Sequence, residues 1–392
     1  DALWRPLVVE RFDGTNATTK AATLSQAVTT YAPQGGVAFQ SYPTTAVSNY
    51  ATVATGTRIT YDALGRPLYA DQDSELGLLR TTYDYQAGFL TKVTRPDGSS
   101  TTTSYQAFDQ PSTDQVRGIA FPEGVASDIP RDVFGKPIYI TRRNADRSVV
   151  VQRLYGYNAA QELCRTVEPE TGATLLGYDA AGNLAWSASG LPASTACEAD
   201  GTSSAVLARK STRAYDNRNR LTDLGFADDI GEQHWEYTPD GLPSKVWAWN
   251  GPGRAVTVIN AYSYNSRRML GGNGELLEQP GWYAWAMGYG YDRNGFPTVQ
   301  NNPDGSVFQY TVNPLGQITE IRSATGTLVT GATYYPNGAL RRFTYGNGIV
   351  HDLAEQNLRG LPQRTKDYRG SIGILDDSYT YDAAGNVAAI SD

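Results

Sequence analysis

Two cysteines, two histidines and two methionines in 392 residues leave few of the side chains from which catalytic and metal centres are built. No His-Glu-x-x-His, Gly-x-Ser-x-Gly or phosphate-cradling glycine loop occurs, so three common chemistries lack their defining residues. There is no basic run, and the formal net charge is −7 with a pI near 5.1. A nucleic-acid backbone needs clustered cations, so it is excluded as a partner. No apolar stretch approaches the roughly 18 residues of a membrane span, and the first residues lack the charged-then-apolar pattern of a signal peptide. No stretch of ten or more residues carries a helical stripe, so helix should stay below about 10% of the chain.

What fills the sequence is one phrase, restated fifteen times. Its cleanest forms are Tyr61-Asp62-Ala63-Leu64-Gly65-Arg66-Pro67-Leu68, Tyr178-Asp179-Ala180-Ala181-Gly182-Asn183-Leu184 and Tyr381-Asp382-Ala383-Ala384-Gly385-Asn386-Val387. With the tyrosine slot as reference, further copies begin at Tyr83, Tyr105, Arg131, Tyr157, Tyr215, Tyr237, Tyr264, Tyr291, Val312, Tyr334 and Gln356. The commonest spacing is 22 residues, which is the signature of a repeat architecture. The first copy, Asp1-Ala2-Leu3-Trp4-Arg5-Pro6-Leu7, lacks its tyrosine, so the sequence reads as a piece of a longer chain.

The phrase has a mechanical meaning. An Asp or Asn side chain folds back onto backbone amides ahead of it, and a glycine three positions later accepts a positive φ. Asp62 with Gly65, Asp179 with Gly182, Asp292 with Gly295 and Asp382 with Gly385 therefore specify hairpin turns. A second glycine set interleaves with the first, as in Pro96-Asp97-Gly98 and Pro303-Asp304-Gly305, so each repeat is two antiparallel strands and two turns. About seven residues remain per strand, or roughly 23 Å. Apolar side chains alternate before the tyrosine, as in Leu328, Thr330, Ala332 and Tyr334. After the glycine they fall two and five residues on, as in Leu90 and Val93 or Ile318 and Ile321, an offset that predicts a bulge just past the turn.

The fold class is therefore all-β, a repetitive antiparallel hairpin strip over residues 1–392 in one continuous sheet. Some thirty strands do not stay flat, since twist makes sheets beyond about ten strands curl or split. The strip should wind into a spiral shell, a scroll or a tube. Two segments depart from the rhythm: a Thr/Ala/Ser-rich stretch at 14–57 and an insertion at 190–204.

Fifteen in-phase copies of Tyr-Asp-x-x-Gly-Arg/Asn-Leu, separated by Asp-Gly or Thr-Gly turns, resemble the Rhs/YD-repeat family across the whole sequence. That family includes bacterial polymorphic-toxin shell proteins, the cocoon-forming subunits of toxin complexes, and teneurins. The resemblance implies a β-sheet shell that encloses a toxin, or in teneurins displays adhesion surfaces, on a secreted or cell-surface protein. Bacterial members close with a core carrying an Arg-Tyr-Tyr-Asp-Pro self-cleavage string, and no such string occurs here. The sequence thus matches a shell segment without the core or the toxin.

The remaining candidates are few. His234 and His351 fall on expected strands and read as ordinary strand residues, and no acid pair is singled out by its spacing. Asp71, Asp73 and Glu75 alternate like a calcium loop, but Leu76 and Thr82 stand where that loop needs its glycine and its bidentate glutamate. Cys164 in a strand and Cys197 in the insertion suit a disulfide that pins the loop to the sheet in an oxidising compartment, worth on the order of 3 kcal/mol. The expected function is a non-enzymatic shell segment without cofactor or metal, whose partners are a cargo polypeptide or neighbouring shell segments. The alternative is an adhesin that binds glycans through Trp247, Trp249, Trp282 and Trp285.

Overall fold

A computed structural model describes residues 1–392 except 46–48, 108–111 and 279–281. The described residues form 32 strands, while α-helix is confined to Ala17–Thr23 and Ser204–Leu207. Among the described residues the strand ladders are antiparallel, and nearly all join sequence neighbours, as expected of a hairpin strip. By their contacts the residues fall into two units, one of Asp1–Asp114, Ile119–Glu123 and Gly290–Asp392, the other of Gln115–Gly118 and Gly124–Tyr289.

The bulge lies where the apolar offset places it. Thr60 pairs with Tyr69 and Tyr61 with Pro67, which leaves Leu68 without an opposite residue. The same slip recurs at Tyr157, Tyr178, Tyr215, Tyr334 and Tyr381. One extra residue turns a sequence offset of three into a structural offset of two, so both apolar side chains after the turn return to one face. The Gly88 hairpin is an exception. There Gln86 pairs with Leu90 and Tyr83 with Val93 in unbroken register, so Leu90 and Val93 point to opposite faces.

Burial is sparse because a single sheet layer has no second layer to press against. Eleven apolar side chains are buried among the described residues, and seven of them form one cluster in the second unit. Val167, Ala173, Leu175, Trp186, Ala188 and Leu191 come from the strands Leu163–Glu168, Gly172–Tyr178 and Leu184–Leu191. Val206 of the short helix, just past the 190–204 insertion, covers them. The irregular segment together with the short helix that follows it is thus the piece that supplies a second layer locally.

The Thr/Ala/Ser-rich stretch also contains more order than its composition announces. Its strands Ser25–Tyr31 and Val37–Ser41 pair through a turn at Gly35, whose φ is 96°. Ala32 donates to Gly36 and Gly35 to Ala32, the pattern made by Asp62 and Gly65. This is a repeat with alanine in the aspartate slot.

Candidate functional site

The repeated phrase is itself the most elaborate polar arrangement in the chain, and each residue type has a task. In the turn at Asp62, Oδ1 accepts from the amides of Leu64 and Arg66, while Oδ2 accepts from Arg66 Nε at 2.7 Å. Asp179 and Asp382 repeat this with Asn183 and Asn386, and Asp216 with Arg220. The Asp292 carboxylate accepts from the Phe296 amide at 2.9 Å. These bonds favour the charged carboxylate, and the Arg220 side chain and amide hold Asp216 down to about 2. Gly65, Gly182, Gly295 and Gly385 have φ of 77°, 82°, 91° and 95°.

The tyrosine joins one repeat to the one before. Tyr178 Oη donates to the Leu163 carbonyl at 2.9 Å, Tyr215 to Leu184 at 3.0 Å, Tyr237 to Leu221 at 2.6 Å and Tyr334 to Ile318 at 2.6 Å. In each pair the acceptor lies two residues after the left-handed residue of the preceding turn, Gln161, Gly182, Asn219 or Gly316. The cation after the left-handed residue then covers the next tyrosine: Arg66 lies 4.0 Å from the Tyr85 ring and Arg220 4.3 Å from that of Tyr237. Burial pushes the Tyr178 and Tyr334 phenols above their ordinary range.

Two assignments of the phrase need correction. At the copy beginning with Tyr83 the donating tyrosine is Tyr85, whose hydroxyl meets the Pro67 carbonyl at 2.9 Å, and Asp84 accepts from Gln86 Nε2 instead of capping a turn. In the 14–57 stretch, Tyr31 donates to the Pro6 carbonyl at 3.1 Å under the Arg5 guanidinium, so it is a working copy that the phrase misses. Gly35-Gly36 following Tyr31 was the available signal. Part of the Tyr105 copy lies outside the described residues.

Within the first unit, strands from the early and late parts of the chain line an open cavity of about 1030 Å³. Gln72, Glu75 and Leu79 face it from the early repeats, and Tyr335, Glu355 and Arg359 from the late ones. Tyr335 is 4% exposed, donates to the Leu353 carbonyl at 2.6 Å, and is pushed above its ordinary range by burial. The lining mixes amides, carboxylates, guanidinium and leucine, which suits a chain of peptide groups and mixed side chains better than a uniform ligand.

The other candidates are engaged structurally. Asp71 is buried and accepts from Arg80 Nε and Nη2, and Asp73 accepts from Arg58 and the Gly56 amide. Among the described residues no three His, Cys, Asp or Glu side chains converge as a metal site. His234 pairs with Asp223 at 2.8 Å and His351 with Asp367 at 2.7 Å, each across a strand ladder. Trp247 and Trp249 stack at 6.5 Å, Arg254 covers Trp249 at 4.4 Å, and Trp247 Nε1 donates to Glu236. Trp285 is half-buried with Nε1 3.4 Å from Glu275 Oε1, and the Trp282 side chain lies outside the described residues. Cys164 and Cys197 are bonded, with Cα atoms 5.6 Å apart. Cys164 occupies the unpaired bulge position, since Leu163 and Arg165 carry the ladder on either side.

With this geometry in view, the fold has clear counterparts. The chain is similar to the crystal structure of TcdB2-TccC3-TEV, with a TM-score of 0.63 at 13% identity over 98% of this chain and 22% of that one. It is also similar to the Photorhabdus luminescens Tc holotoxin pore, with a TM-score of 0.54 at 14% identity over 99% and 21% of the two chains. The likeness is one of fold, a long antiparallel β strip. The chain spans about a fifth of the length of these structures. No family model and no curated protein matches it.

Proposed function

We propose that this chain is a non-enzymatic wall segment of a Rhs/YD-type shell, which encloses or delivers a polypeptide cargo as part of a longer, secreted or surface-displayed protein. The observation that carries the reading is the tyrosine link between successive repeats, because it makes a long strip from units that cannot bury a face alone. The likeness to the TcdB2-TccC3 structures over 98% of the chain supports it at the level of fold. The mixed lining of the first unit's cavity supports a polypeptide as the enclosed material.

Catalysis has no part in this reading: both histidines, Asp71 and Asp73 are taken up by cross-strand partners. The glycan alternative would use indole faces, and the Trp249 face is covered by Arg254. No helix of the described residues is long and apolar enough to cross a membrane.

Protease protection tests the proposal. In the full-length protein the cargo polypeptide should survive protease under conditions that digest it when free, and become digestible once urea unfolds the strip. Equal digestion of free and attached cargo would remove the shell reading. Turnover of a peptide, glycan or nucleotide by the purified chain, lost on replacing one acid or histidine cluster, would remove the non-enzymatic part.

A further inference from the structure

The insertion is the only place where the second unit's strip gains a buried second layer among the described residues, and one covalent bond ties it there. Val206 is fully buried against Trp186, Ala188 and Leu191. Trp186 is held between Gly177 of its neighbouring strand and Gly201 of the insertion, where an added Cβ would lie 2.7 Å from the indole. Lys210 Nζ donates to the carbonyls of Asp200 and Gly201 at 3.1 and 3.0 Å and sits 4.8 Å from the Trp186 ring. Residues 192–200 make no strand pairing and are largely exposed. The two cysteines differ in exposure, with Cys164 2% exposed and Cys197 an exposed residue of the insertion.

We propose that Cys197 is a site of thiol–disulfide exchange, and that reduction by a low-molecular-weight thiol releases residues 192–207 as a flap from the apolar face formed by Val167, Leu175, Trp186 and Leu191. The asymmetry of exposure sets the direction of attack. A thiolate reaches Cys197 Sγ and forms a mixed disulfide, while Cys164 leaves as the thiolate and takes a proton. A second thiol then attacks the reductant's sulfur in that mixed disulfide. Cys197 departs as a thiol, and the two reductant thiols end as one disulfide, two electrons having passed to the protein.

The noncovalent contacts left behind are weak for a segment of this length. They comprise a four-residue helix, one buried valine, the Gly201 backbone against Trp186, the Arg165 guanidinium on the Ala193 carbonyl and a lysine bonded to two carbonyls. A helix this short does not hold itself together in water, so loss of the tether should convert a docked segment into a mobile one. The strands beneath keep their own ladders, Leu163–Glu168 to Gly172–Tyr178 and Gly172–Tyr178 to Leu184–Leu191. Opening is therefore local, and the bared surface is apolar.

Hydrogen exchange read by mass spectrometry tests this with millimolar glutathione as the probe. Expected are alkylation of both cysteines after glutathione, at least about tenfold faster exchange across 192–209, and unchanged protection in the underlying strands. The double variant Cys164→Ser/Cys197→Ser should exchange like reduced protein with or without glutathione. The proposal is overturned if only a strong phosphine reduces the bond, if full reduction leaves 192–209 protected, or if protection collapses evenly from Val150 to Phe226. A double variant as protected as the oxidised protein would overturn it equally.

Discussion

Arg359 Nε lies 3.4 Å from the Asp97 carboxylate, joining a late turn of the repeat to an early one, and its Nη1 and Nη2 each reach 3.3 Å to the carbonyls of Ala383 and Ala384. Three turns from distant parts of the sequence meet at one guanidinium. Glu123 adds a fourth segment, accepting from the Ala383 amide at 2.9 Å. No local propensity demands these contacts. They hold the early and late strands of the first unit around its cavity.

Replacing Arg359 by Ala should therefore loosen the first unit at a specific place. Both side chains of the pair are mostly shielded, 16% and 24% exposed, so the loss should be about 1 to 3 kcal/mol. Hydrogen exchange should quicken at 95–99 and 382–386 while the second unit is unaffected. Uniform change, or none, would show that the contact does not close the unit.

The tyrosine link predicts a small and repeatable penalty. Tyr178→Phe keeps the ring and removes only the hydroxyl bonded to Leu163, leaving that carbonyl without this donor. The expected cost is about 0.5 to 1.5 kcal/mol in urea denaturation. Tyr155→Phe is the control, since Tyr155 is not a motif tyrosine. Equal costs at both sites would mean that the hydroxyl bond contributes nothing particular to the repeat.

Glycine substitutions can separate backbone strain from crowding. An added Cβ at Gly182 would meet nothing within 4 Å, whereas at Gly316 it would run into the Phe296 ring, and both have φ near 80°. Gly182→Ala should cost about 1 to 2 kcal/mol from the backbone alone, and Gly316→Ala more. Thermal denaturation of the two variants measures the difference. The tolerated left-handed residues Gln161, Asn219 and Arg268 in equivalent slots show that the strain is affordable when other contacts offset it.

The turn carboxylates predict a response to acid. Asp62, Asp179, Asp216 and Asp382 are all held below the ordinary carboxylate range in the folded chain. A depressed folded value means stabilisation that is present above the unfolded value near 3.8 and is lost as pH falls through the folded one, about 2 for Asp216. Amide exchange at 216–220 should accelerate between about pH 4 and 2 relative to the intrinsic rate. Asp216→Asn should flatten that dependence, and an unchanged profile would refute the role of its charge.

Much of the fold could be read because its causes are local. A side chain that bonds amides two and four residues ahead, and a glycine at positive φ, act within one turn, so Asp62 with Gly65 and Asp179 with Gly182 announce hairpins wherever they occur. The bulge was legible too, because its extra residue must appear as an offset in the apolar pattern. Tyr31 lies outside the phrase because Ala32 lacks the carboxylate, and the phrase falls on Tyr83 where the bond belongs to Tyr85, because letters repeat by position while the hydroxyl needs a carbonyl within reach.

By itself, then, the sequence determined strand, turn and repeat, the features whose energies arise within some twenty neighbouring residues. Only the tertiary structure decided that Arg359 meets Asp97, that Val206 covers Trp186, and that the early and late strands share a cavity. Those contacts join residues whose separation leaves no periodic trace. Their partners are selected by how the accumulated twist of many strands brings distant turns together, a sum over the whole strip that no single phrase encodes.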